Sequence, residues 1–199
     1  MSRMNGIRTF LGGAAILATI GMVNSCREYA DYPGFSEKTE MGRTKNAISA
    51  VVAGIAAQQA YGDANVGMEV KKTFWPDATL TGTVTPDAID TKTNVFFSSA
   101  KFNARGSEGG LVGKVDKSEF DWRVEQTGQD TYRIKRLGWK FDSYLQLTAK
   151  DGCITGTYKR PGPHFDWTVD GTYTKDGSAR IEIDGPLNLG VTLEGKLKQ

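Results

Sequence analysis

From about residue 65 to the end of the chain, apolar residues recur at every second position, and no other feature limits the fold so tightly. Leu187, Leu189, Val191, Leu193, Gly195 and Leu197 alternate with polar residues such as Thr192, Glu194, Lys196 and Lys198. Phe120, Trp122 and Val124 do the same, as do Leu145, Leu147 and Ala149, then Phe165, Trp167, Val169, Gly171 and Tyr173, then Ile181 and Ile183. Successive strand side chains point to opposite faces, so each such segment has one dry face and one wet face. Turn formers separate them: Thr127-Gly128-Gln129-Asp130, Asp151-Gly152, Pro161-Gly162-Pro163 and Asp176-Gly177. The two Asp-Gly pairs suit two-residue type I′ hairpins. Short alternating strands with turns every 8–12 residues predict an all-β antiparallel fold. The expected architecture is a barrel of about 8–11 strands, with a β-sandwich as the alternative. The final strand is expected to be long, reaching from Leu187 to Lys198.

One pattern, apolar-x-Gly-x-apolar, occurs five times, centred on Gly82, Gly113, Gly156, Gly171 and Gly195. Each glycine shares the dry face with its two apolar neighbours. A strand glycine lowers stability, so these positions call for a reason. Sharp coiling that closes a small barrel is the preferred one. Room on the inner face for a ring or a ligand is the other. Phe120-Asp121-Trp122-x-Val124 and Phe165-Asp166-Trp167-x-Val169 form a second, two-copy repeat. Leu145 to Tyr158, ending Thr155-Gly156-Thr157-Tyr158, resembles a strand pair of avidin-type barrels over under a tenth of the chain. No ligand residue is carried over from that likeness.

The first 64 residues read differently. Arg3 and Arg8 precede an apolar run over 10–23, and Asn24-Ser25-Cys26 ends it. Such a run rises only about 21 Å as a helix, short of a ~30 Å bilayer core. A basic flank, a short apolar run and a small-residue exit describe a secretory signal peptide or anchor over 1–25. Val23-Asn24-Ser25-Cys26 resembles the lipobox of bacterial lipoproteins, with Asn24 in place of the usual small apolar residue. The resemblance implies cleavage before Cys26, a lipid on that residue and attachment to a membrane. Residues 26–64 read as a linker holding a second apolar segment, Ala47 to Ala57, after the basic stretch Met41-Gly42-Arg43-Thr44-Lys45. Three readings stand: translation from Met41 with a signal over 41–64; a first signal followed by an Ala-rich helix at 46–60; and a membrane hairpin. All leave 27–45 as a polar linker, and the first two place the β domain of 65–199 outside the cytoplasm.

Charge and chemistry narrow the function. The chain has 25 Lys and Arg against 23 Asp and Glu. Without residues 1–25 the counts are equal, at 23 each, so long-range steering of anionic partners is not expected. Two Cys and one His exclude a four-ligand Cys/His metal site and a disulfide scaffold. No pattern calls for a cofactor. His164 sits beside a turn with no nucleophile elbow in the chain, and Arg105 to Gly110 reads as a loop. Cys153 is expected to pack as a small apolar group. Asp121, Asp142 and Asp166 each follow Phe, and a hydrolase using Asp121 and Asp166 is an alternative that needs both in one cleft. Tyr132 to Lys140 mixes base and aromatic residues, but alternation separates Arg133 and Lys135 from Tyr132 and Ile134. A nucleic-acid platform wants ring and charge on one face, so no nucleic-acid partner is expected. Trp75, Trp122, Trp139 and Trp167 are the largest apolar units, and Trp122 and Trp167, which alternate with charge, are expected in the core. Trp122, Trp167, Tyr158 and Tyr173 are the candidate ligand-binding residues if any ring reaches a barrel mouth. The expected function is an exported, lipid-anchored, non-catalytic barrel domain that binds a small ligand or a cell-envelope component. A surface protein that assembles through its sheet is a further alternative.

Overall fold

The computed structural model describes residues 40–71, 78–95, 98–138, 143–159, 167–185 and 190–198. One helix, α1 (Glu40–Tyr61), precedes twelve strands. These are β1 (Ala64–Lys71), β2 (Ala78–Thr85), β3 (Ala88–Val95), β4 (Ser98–Ser107), β5 (Gly110–Val115) and β6 (Asp121–Gln126). Then follow β7 (Thr131–Arg136), β8 (Tyr144–Lys150), β9 (Cys153–Lys159), β10 (Thr168–Tyr173), β11 (Ser178–Asp184) and β12 (Val191–Lys198). Each strand pairs antiparallel with its sequence neighbours, and β12 pairs back onto β1 to close the barrel. The closing register runs from Asn65 opposite Lys198 to Lys71 opposite Thr192.

The barrel has one strand more than the upper expectation, and two strands explain why. In β3 the inward positions are Ile89, Thr91 and Thr93; in β4 they are Ala100, Phe102 and Ala104. Threonine and alanine blur an apolar count although all six are buried. The last strand is shorter than expected, starting at Val191, and Leu187 lies outside the described residues. The Asp151-Gly152 hairpin takes the expected form, with φ of 51° and 82°. The Asp176-Gly177 turn does not: four residues, 174–177, link β10 to β11. There Asp176 Oδ1 accepts from Thr174 Oγ1 and, at 3.1 Å, from the Ser178 amide, and only Gly177 has positive φ.

The five strand glycines serve close approach. A Cβ on Gly171 would lie 2.7 Å from both Arg180 O and Ile181 Cα. Atoms of the neighbouring strand sit equally tight against Gly82, Gly113, Gly156 and Gly195. The space is filled by coiled backbone, so it offers no niche for a ring.

The helix occupies the lumen. From Ala47 to Ala57 its apolar side chains are at most 1% exposed. It touches β1, β2, β3, β4, β5, β8, β11 and β12, strands from all round the ring. Twelve strands about 4.8 Å apart and tilted about 40° enclose a radius of about 12 Å. A helix about 10 Å across leaves about 7 Å on each side, enough for one layer of inward side chains. Small residues on α1 suit that gap; a Cβ on Gly54 would lie 2.8 Å from Ile89 Cδ1. The stretch read as a polar linker therefore ends earlier in the structure, because α1 starts at Glu40 and Lys45 is only 2% exposed.

Gly62 and Asp63 alone separate α1 from β1, so the helix leaves the barrel where β1 enters it. At this turn end the strand connections are 86–87, 108–109, 127–130, 151–152 and 174–177. The chain enters α1 at the opposite, loop end, where connections such as 116–120 and 185–190 are longer. Closure leaves no free edge among the described strands, which removes the edge pairing that the assembly alternative relies on. The outward positions carry residues such as Thr79, Thr81, Lys101, Arg133, Glu182 and Lys196. A bilayer-spanning barrel turns an apolar belt outward, and these strands turn their apolar residues inward. Among the described residues, no helix is long and apolar enough to cross a membrane.

Candidate functional site at the turn end

Two clefts flank the C-terminal end of α1 where it emerges at the turn end. The first, of 560 Å³, is lined by Gln59 and Ala60 from the helix and by the turns at 129–130, 150–152 and 173–175. The second, of 520 Å³, lies beside Gln58 and is lined by the turns at 86–87 and 106–110 and by Val124 and Tyr132. The helix positions both. Gln58 Nε2 donates to Thr85 O at 2.6 Å, and Gln59 Nε2 donates to Tyr132 Oη at 2.5 Å. Tyr61 Oη donates to Lys175 O at 2.9 Å on the far side. Gln59 lines the first cleft and Tyr132 the second, so their hydrogen bond is the partition between them.

The first cleft is the more polar. It gathers two carboxylates, Asp130 and Asp151, two ammonium groups, Lys150 and Lys175, the Gln59 and Gln129 amides and the Tyr173 phenol. Lys150 Nζ lies 3.9 Å from Asp130 Oδ2, an exposed pair of little energetic weight. Burial pushes the Tyr173 hydroxyl above its ordinary value, so at neutral pH the phenol both donates and accepts. Each of the six connections at this end carries an acid: Asp63, Asp87, Glu108, Asp130, Asp151 and Asp176. The last turn of α1 has no basic residue. A helix C-terminus is itself the negative end of its dipole, which adds to these acids and is offset by Lys150 and Lys175.

The four aromatic candidates do not gather in one site. Tyr173 lies at the turn end against the first cleft, 6% exposed. Trp122, Trp167 and Tyr158 lie toward the loop end. Trp122 is 3% and Trp167 5% exposed, as core placement expects. Tyr158 is half-buried and donates its hydroxyl to Ser143 Oγ at 2.9 Å, while its amide bonds Trp167 O at 2.8 Å. Trp75, Trp139, His164, Asp142, Asp166 and Cys26 lie outside the described residues. Asp121 points outward, 3.9 Å from Lys114 Nζ, on the wet face that alternation predicts. Cys153 is exposed rather than packed, because the inward partner in that hairpin is Ile154. Among the described residues, no three His, Cys, Asp or Glu side chains gather as a metal site. The helix amides carry no signal in the sequence, where Gln58 and Gln59 merely follow an apolar run.

The chain matches no family model, no curated protein and no solved structure.

Proposed function

We propose that this chain is an exported, non-catalytic β-barrel domain, held at the cell envelope through Cys26, that binds a small polar ligand or envelope component at its turn-end mouth. The observation that carries the reading is the occupied lumen: α1 fills the barrel, and two mouth clefts of 560 and 520 Å³ lie beside its end. Their volumes fall in the range of small-molecule sites. The buried helix also bears on export. Processing near Tyr61 or Asn65 would remove nine buried core residues, from Ala47 to Ala57, whereas processing before Cys26 leaves them in place. This favours the first signal segment, with α1 as part of the mature fold.

A thermal-shift screen of neutral sugars, amines and short lipids against the full chain tests the binding. Stabilisation by one class, lost in Lys150→Ala and in Thr174→Val, supports the mouth site. No stabilisation by any class, or a shift that both variants retain, sinks it. The intact mass of the protein from native membranes tests the anchor: a chain starting at Cys26 with added acyl mass is expected, and an unprocessed Met1 rules it out.

A further inference from the structure

The barrel wall is electrically lopsided although the mature chain is balanced. The outward positions of β4 to β9 carry eight Lys and Arg against two acids, Asp121 and Glu125. On the other six strands bases and acids nearly cancel. The register lines the bases up: Arg105 lies opposite Val112, Val112 opposite Arg123, Arg123 opposite Lys135, Lys135 opposite Tyr144, and Tyr144 opposite Lys159. This single row crosses six strands, about 24 Å around the wall. Like charges directly opposite each other destabilise a sheet, and the wall keeps two basic pairs, Arg123 with Lys135 and Lys92 with Lys101, beside two acidic ones, Glu69 with Glu194 and Asp170 with Glu182. Ion pairs on this wall include Arg105 to Asp90 at 2.6 Å, and Arg123 to Glu125, Lys114 to Asp121 and Lys150 to Asp130 at 3.9 Å.

A shallow groove of 480 Å³ adjoins the Lys159 end of the row. Its lining includes four threonines, Thr148, Thr155, Thr157 and Thr168, with the Gln146 amide, and one carboxylate, Asp170, on the side away from the row. Hydroxyl and amide groups exchange hydrogen bonds with alcohols, and they neither stack nor neutralise. We propose that this outer wall binds a linear acidic polysaccharide, its carboxylates over the Arg105–Lys159 row and its hydroxyls in the threonine groove. A single chain can follow the convex wall, which a flat bilayer meets poorly. Nucleic acid is the weaker fit, because the row's one ring, Tyr144, has the Arg133 guanidinium 4.7 Å from its centroid. Base stacking needs free aromatic faces. The surface is separate from the mouth clefts, and either site can fail without the other.

The test is binding of the full chain to polygalacturonate at low salt, beside a single-stranded oligo(dT) and phosphatidylglycerol vesicles. Polygalacturonate is expected to bind and to weaken steeply with added salt. The triple variant Lys114→Gln, Lys135→Gln, Lys159→Gln should weaken it about tenfold or more, while Lys196→Gln with Lys198→Gln, on the balanced wall, leaves it unchanged. Thr155→Val with Thr157→Val should weaken polygalacturonate and not oligo(dT). Lys159→Gln alone, at an exposed position, gives a smaller loss in the same direction and guards against misfolding of the triple variant. Absence of polygalacturonate binding overturns the proposal. So does equal loss from variants on both walls, and so does tighter binding of oligo(dT) or vesicles that ignores the threonine substitutions.

Discussion

The two halves of α1 meet the same barrel on different terms. The half toward the turn end is Ala, Val and Ile until Gln58 and Gln59, whose amides bond Thr85 O and Tyr132 Oη. The half toward the loop end buries Lys45, Asn46 and Ser49 at 1–2% exposure. Ser49 Oγ is enclosed with no hydrogen-bond partner among the described residues. Burial alone lowers the Lys45 ammonium from 10.5 to about 8. One half gains by burial and fastens itself to the rim; the other buries an ammonium and a hydroxyl at a cost in hydration. The half fastened through Gln58 and Gln59 is also the half that shapes the candidate mouth.

The comparison breaks most severely if the helix is not core at all. Deleting residues 40–61 removes nine of the buried apolar residues and leaves an empty lumen. The expected result is loss of the cooperative thermal transition, followed by circular dichroism. A truncated chain that still melts cooperatively would show that the barrel stands alone. Next in size, Ile55→Ala should cost about 3 kcal/mol, since Ile55 is fully buried against a close-packed ring. Urea titration measures it, and a loss under 1 kcal/mol would mean a loosely held turn-end half.

The loop-end half predicts the opposite sign. Lys45→Met should stabilise by about 1–2 kcal/mol, because an apolar chain of similar length replaces a buried ammonium. The pH dependence follows from the same group. Its folded value lies below its unfolded one, so between about 8 and 10.5 the unfolded chain binds more protons and stability rises with pH. The gain of Lys45→Met over the parent should therefore shrink across that window. A constant gap from pH 7 to 11 would show that Lys45 titrates normally. Smallest of all, Tyr132→Phe removes the partition bond and should cost about 1 kcal/mol, read as a lower urea midpoint with unchanged slope.

Much of the fold was legible. Alternation located the inward residues of β6, β8, β10 and β11, and it separated Tyr132 and Ile134 from Arg133 and Lys135. Cys153 went astray because position in a hairpin decides its face, and residue type does not. The mouth was illegible: Gln59, Asp130, Lys150 and Tyr173 stand far apart in the chain and share a cleft only through strand order. The basic row was hidden by the same cause, since Arg105, Arg123, Lys135 and Lys159 line up only through register.

The sequence by itself determined the strand period, the Asp151-Gly152 hairpin and the inward face, because these depend on neighbours one to four residues away. Tertiary structure decided that the sheet closes at twelve strands. It decided too that an Ala-rich segment resembling a signal becomes the filling of that closed sheet. An apolar helix has the same composition whether a membrane or a barrel buries it, and only the radius of the ring around α1 selects the second.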